Sequence, residues 1–157
     1  MAAATATRTV DPWDDLDWID ERAPRTNHAF VALLTITALA TGWEWLVALV
    51  AAQLLIGLTF GRRWCVACHL YFTVIQPRIG EGRIEDARAP RFANVIGAAL
   101  MTLATVAFIA GLAGAGWAIA GVVAALSSLS ALTGICVGCL IYARVWGCED
   151  CRLPARG

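Results

Sequence analysis

Two stretches of this chain carry the same signals in the same order. Asp20-x-Arg22-Ala23-Pro24-Arg25 is matched by Asp86-x-Arg88-Ala89-Pro90-Arg91, and Gly42-Trp43 by Gly116-Trp117. Cys65-Val66-x-Cys68-x-x-Tyr71 is matched by Cys136-Val137-x-Cys139-x-x-Tyr142. Repetition of this kind is read before any single motif, because each copy is one supersecondary unit. Apolar runs fill the space between landmarks: Ala29–Trp43 and Trp45–Gly61 in the first copy, Phe92–Leu112 and Trp117–Tyr142 in the second. Each copy therefore predicts two helices joined by a turn at Thr41–Glu44 or at Gly114–Trp117.

The chain is 59% hydrophobic, against about 45–50% apolar residues in ordinary soluble domains. The expected fold is an all-α membrane protein with four transmembrane helices, arranged as two tandem pseudo-symmetric helical hairpins. The first two runs are short beside the ~20 residues of an upright span. Asn27, His28 and snorkelling arginines lengthen them at their ends. Two copies that enter from the same side imply a pseudo-two-fold axis along the membrane normal.

Net charge is zero, with 12 basic and 12 acidic residues. All 12 basic residues are arginine, so the basic excess expected of a nucleic-acid-binding domain is missing. The arginines set the topology. Arg8, Arg22 and Arg25 precede the first span, and Arg62, Arg63, Arg78, Arg83, Arg88 and Arg91 lie between the second and third. Arg144, Arg152 and Arg156 follow the fourth. By the positive-inside rule both termini and the central loop face the cytoplasm. The N-terminus shows no cleavable signal peptide.

The chain divides into an acidic N-terminal tail with Trp anchors over 1–26, a first hairpin with Cys-Val-Ala-Cys over 27–78 and a cytoplasmic linker over 79–91. A second hairpin with Cys-Val-Gly-Cys over 92–145 and a tail with Cys-Glu-Asp-Cys over 146–157 complete it. A folded cap over the bundle is the alternative for the first segment. The Asp-x-Arg-Ala-Pro-Arg motif reads as a helix start with Pro pre-set for helical geometry. Its arginines suit headgroup level, and Asp20 and Asp86 can pair with them; an anionic substrate is the other reading. Glu44 reads as an exposed loop acid.

The six cysteines form three pairs: Cys65/Cys68, Cys136/Cys139 and Cys148/Cys151. Cysteines at i and i+3 of a helix share one face. That spacing permits a local disulfide or two adjacent metal ligands. On the redox reading all six are candidates for thiol or sulfur relay, with Arg62 and Arg63 biasing Cys65 toward thiolate. Glu149 and Asp150 act against the tail pair. No bound cofactor is needed for this. On the alternative reading, Cys65, Cys68, Cys136 and Cys139 form a tetrathiolate set for zinc or an iron–sulfur cluster. A third reading is a scaffold without chemistry, in which membrane cysteines are small hydrophobes. Cys65-Val66-Ala67-Cys68-His69 also fits the c-type haem attachment pattern. A cytoplasmic face disfavours it, and the second copy has Leu140 in place of His69. His69 reads as an interfacial residue on a helix from Trp64 to Ile75, where Trp64, Cys68, Tyr71, Phe72 and Ile75 share an apolar face.

Gly61-Arg62-Arg63-Trp64-Cys65-x-x-Cys68, Gln76-Pro77-Arg78-x-Gly80, Pro90-Arg91-Phe92-Ala93-Asn94 and Gly134-x-Cys136-Val137-Gly138-Cys139, taken with the Asp20–Arg25 and Glu85–Arg88 motifs, resemble a bacterial family of integral membrane proteins classed as a domain of unknown function. The likeness runs from about Asp20 to Tyr142. It implies a four-helix inner-membrane protein with paired cysteines, and a thioredoxin-like or rhodanese-type sulfurtransferase partner. Cys148 and Cys151 lie outside it.

Overall fold

The computed structural model describes residues 11–147, and these are mostly helical. Strand β1 (Trp18–Asp20) leads into α1 (Arg22–Thr41), and α2 (Glu44–Phe60) returns after Gly42. A short 3-10 turn (Arg62–Trp64) precedes α3 (Val66–Leu70), which runs through a π-helical turn (Tyr71–Ile75) into α4 (Gln76–Ile79). Strand β2 (Ile84–Asp86), α5 (Arg88–Ile109), α6 (Ala113–Thr133) and α7 (Val137–Trp146) follow. Helices α5 and α6 are long and apolar enough to cross a membrane, and α2 is apolar but shorter.

The four long helices cross-pack. α1 lies chiefly against α6, and α2 against α5, with α5 also against α6. Val47, Val50, Met101, Ala38, Ala104 and Ala120 form the shared core. Alanines dominate the contacts, so the backbones approach closely. Thr35 lies fully buried without cost because its hydroxyl donates to the Val31 carbonyl at 2.7 Å. The outer surface is apolar as well. Leu33 on α1, Phe60 on α2, Leu103 and Ile109 on α5 and Leu132 on α6 are all more than half exposed. Apolar surface spread over every long helix is unusual for a chain in water.

One end of the bundle is closed by the strands. β1 and β2 pair antiparallel with Trp18 opposite Asp86 and Asp20 opposite Ile84. The segment before β1 does not leave the protein as a tail. The Arg62 guanidinium donates to the carbonyls of Asp15, Leu16 and Trp18 at 2.8 Å each. Trp13 packs edge-on against Phe72 with ring centroids 5.6 Å apart. Residues 11–20 of this segment thus pack on the end of the bundle, and residues 1–10 lie outside the described residues. Likewise the stretch predicted as a linker over 79–91 holds β2 and the first residues of α5.

Two boundaries differ from the apolar pattern. The second hairpin turns at Gly111 (φ 76°) rather than at Gly114–Trp117, and the Leu112 amide donates to the Ala107 carbonyl at 2.8 Å. Gly116 sits inside α6 instead, where a Cβ would stand 2.7 Å from the Phe108 ring. Its role is close helix approach rather than turning. The run from Trp117 to Tyr142 is interrupted at Gly134 (φ 75°), which ends α6 in a left-handed cap. Glu44 lies exposed in the first turn of α2 rather than in a loop, where its charge complements the helix N-terminus.

Candidate functional site

The breaks at Gly61 and Gly134 place the two cysteine pairs. Cys65 does not sit within a helix that begins at Trp64. Trp64 belongs to the preceding 3-10 turn, 65% exposed and off the apolar face assigned to it, while Cys68, Tyr71 and Phe72 are buried. Cys65 is the N-cap of α3 with extended backbone (φ −82°, ψ 110°), and its sulfur accepts the Cys68 amide at 3.3 Å. Cys136 caps α7 in the same way (φ −92°, ψ 108°), with its sulfur 3.3 Å from the Cys139 amide. In both pairs the first cysteine stands just outside the helix and the second in its first turn. An N-cap sulfur receives a backbone N–H and the positive end of the helix, and both favour thiolate.

The surroundings separate the pairs. The Cys65 thiol faces Asn27 Oδ1 at 3.7 Å, and Asn27 Nδ2 donates to Asn94 Oδ1 at 3.1 Å. Cys65 and Cys68 are both buried. Cys136 and Cys139 are half-buried, and the Cys136 sulfur lies 3.9 Å from His28 Nε2. Asn27 and His28 are consecutive on α1, so adjacent residues of one helix touch both pairs. Cys136 is pushed down to about 5, chiefly by a hydrogen bond from the Cys139 thiol, against burial, and further by His28. Cys65 is lowered by the Cys68 thiol, again against burial. Cys68 and Cys139 are raised, since each donates to its neighbour's thiolate and is buried. Each pair thus holds one sulfur biased toward thiolate and one held as thiol.

The packing behind the second pair is tight. A Cβ on Gly138 would stand 2.7 Å from the Ala93 Cβ, so α7 presses on α5 beside Cys139. Arg25 lies over Gly134, where its guanidinium faces the C-terminal end of α6. A cavity of about 420 Å³ opens beside the first pair, with Cys65, Cys68, Asn27, Asn94, Gln53 and Arg91 among its walls.

Of the residues the sequence singled out, Cys65, Cys68, Cys136 and Cys139 are all free thiols. Cys148 and Cys151 lie outside the described residues. His69 lies tilted against Trp13 with centroids 5.7 Å apart and is exposed. Among the described residues no three His, Cys, Asp or Glu side chains gather to hold a metal ion, so the tetrathiolate set is not assembled there. Asn27, His28 and Gln53 carry no motif, and their signal is only that each is a polar residue in or beside an apolar run. Asn94 closes the Pro90–Asn94 motif, which by itself assigns it no role.

A family model described as "Domain of unknown function (DUF4395)" matches residues 19–146. No curated protein and no solved structure matches the chain.

Proposed function

The chain belongs to the DUF4395 family, and we propose that it is a membrane-embedded thiol–disulfide exchanger working with a soluble thioredoxin-like or sulfurtransferase protein. The observation that carries this is the twice-built cap, in which the first cysteine of each pair accepts the amide of the second at a helix N-terminus. A bundle that needed only small apolar residues there has no use for two such caps.

Exchange starts at Cys136, the more exposed and more acidic sulfur. Its thiolate attacks one sulfur of a partner disulfide, a mixed disulfide forms, and the other partner sulfur leaves as thiolate and takes a proton. Cys139 then loses its proton and attacks Cys136 Sγ. The Cys136–Cys139 disulfide forms and the partner's second thiol is released, so two electrons pass to the partner. Each step is reversible, and the relative potentials set the direction.

In this reading α1, α2, α5 and α6 are four spans of the bacterial inner membrane, related as two hairpins by a pseudo-two-fold axis. The apolar outer surface of all four supports it, as does the reciprocal packing of α1 on α6 and α2 on α5. The distribution of the arginines supports a cytoplasmic position for the strand-capped end, both cysteine pairs and both termini. An impermeant thiol reagent applied to intact cells is expected to leave Cys148 unlabelled until the membrane is permeabilised; labelling beforehand reverses the orientation.

The exchange itself is tested by trapping. With the resolving thiol removed (Cys139→Ser), Cys136 is expected to hold a thioredoxin-like substrate protein as a mixed disulfide that reductant dissolves. Cys136→Ser should trap nothing at this site. Equal trapping by both variants sinks the assignment of Cys136 as the attacking sulfur.

A further inference from the structure

The cavity beside Cys65 and Cys68 is of small-molecule size, and both cysteines on its wall are buried. Cys65 is 7% exposed and Cys68 9%. The volume of about 420 Å³ falls within the ~300–1,000 Å³ of ordinary small-molecule sites. Its apolar wall is the α2 face with Leu54, Leu58 and Phe60, on a helix whose outer side is apolar too. Its polar wall holds Arg62, Arg63 and Arg91 with Asn27, Asn94 and Gln53, and no carboxylate lines it. Gln53 stands out. It is 9% exposed, and neither its Nε2 nor its Oε1 has a partner in good hydrogen-bonding geometry, although it adjoins Cys65. A buried amide left open costs about 1–3 kcal/mol.

We infer that this cavity binds a lipid-soluble quinone, which takes the electrons of the Cys65/Cys68 pair. The site offers what such a ligand needs. A flat apolar ring fits against α2, the Gln53 amide donates to a carbonyl oxygen, and the surplus of guanidinium charge favours the anionic character that oxygen gains as it is reduced. An amine or a cationic ligand would meet three arginines and no lining carboxylate. Arg63 is paired with Asp14 at 3.5 Å and Arg62 is held by backbone carbonyls, which leaves Arg91 as the lining guanidinium without a partner among the described residues. The step balances. The Cys65 and Cys68 thiols lose two electrons and two protons and form one S–S bond, while the quinone gains both electrons and both protons to become the quinol. This inference rests on the exchange proposed above, run in reverse: a dithiol partner reduces the Cys136–Cys139 disulfide, and the Cys136 and Cys139 thiols then reduce the Cys65–Cys68 disulfide by the same attack and resolution, two electrons and two protons passing at each stage. The burial contrast then divides the labour, with the buried pair facing the small acceptor and the half-exposed pair facing protein.

The test uses the full-length protein in detergent, reduced, freed of reductant and kept anaerobic. Tetramethyl-1,4-benzoquinone is the probe, since every ring position is substituted and a thiol cannot simply add to an open carbon. Quinol formation is followed optically, and cysteine states are read by alkylation and peptide mass spectrometry. Saturable quinol formation with an intramolecular Cys65–Cys68 disulfide is expected, and Cys65→Ser should abolish both. Gln53→Leu should raise the half-saturating quinone concentration about five- to tenfold, the worth of one hydrogen bond. The same variant should unfold at the same or a higher temperature, because it removes an unpaired buried amide; lost function with a retained fold is then a site effect. Non-saturating oxidation, oxidation of all pairs alike, or an unchanged half-saturation in Gln53→Leu overturns the inference. Quinone failure with intact trapping at Cys136 sinks this site alone, whereas quinone reduction with no trapping sinks the exchange reading.

Discussion

Asp20→Ala is expected to destabilise the protein by about 3 kcal/mol, read as a fall of roughly 6–12 °C in unfolding temperature in detergent. Asp20 is only 2% exposed. Its carboxylate accepts the Arg22 amide at 3.0 Å, the Gly82 amide at 2.8 Å and the Gln76 side-chain amide at 3.2 Å. Truncation removes one acceptor from three donors that come from α1, α4 and the loop before β2, and so unties the strand cap from the bundle. Asp86, its counterpart in the repeat, serves a smaller role. It accepts the Arg88 amide at 2.8 Å and pairs with the Arg88 guanidinium, whose side chain is 67% exposed. Exposed ion pairs contribute about 0–1 kcal/mol, and Asp86→Ala should cost about 1 kcal/mol, most of it from the lost backbone acceptor. Equal losses for the two variants would show that the motif acts alike in both copies and that the Asp20 network carries no special weight.

The second large effect concerns Cys136. Thiolate is the reactive form, so the exchange rate rises with pH through the thiol's pKa and is flat above it. A sulfur lowered to about 5 is already on its plateau at pH 6. Against a small aromatic disulfide, Cys136 should therefore react at nearly the same rate at pH 6 and pH 9. An unperturbed thiol (pKa about 8.5) should accelerate roughly 200-fold over that interval. The shape of the profile matters here, because access scales all points alike. His28→Ala removes a contribution that lowers the thiol, so its inflection should move upward into the measured range. A Cys136 profile that rises like that of a free thiol would mean that the N-cap and His28 do not hold a thiolate.

Much of this arrangement was written in the repeat. Pro24 and Pro90 sit in the first turns of α1 and α5, and Gly42 ends α1 with φ 72°, as a turn between two helices requires. What escaped the pattern had physical causes. Three-residue strands carry too little alternation to stand out, and β1 and β2 are held by each other across more than sixty residues. The acidic segment looked like a tail because its anchor is elsewhere, on the Arg62 guanidinium, which binds its carbonyls rather than its carboxylates. Spacing alone puts the two cysteines of each pair on one helix face. The glycine stops at Gly61 and Gly134 instead put the first of each pair at a cap, and the chemistry depends on that difference. Hydropathy could not reveal it, since Gly134 lies in a run of uncharged residues.

In the exchange proposed above, Cys65/Cys68 and Cys136/Cys139 each cycle between dithiol and disulfide. The direct measurement is to equilibrate the purified protein across a series of thiol–disulfide redox buffers, block the thiols and map every bond by mass spectrometry. The account predicts Cys65–Cys68 and Cys136–Cys139 disulfides, each forming in a single two-electron transition within the roughly −120 to −270 mV range of exchange proteins. Thiols that stay reduced at every potential, or bonds that form only between molecules, would contradict it.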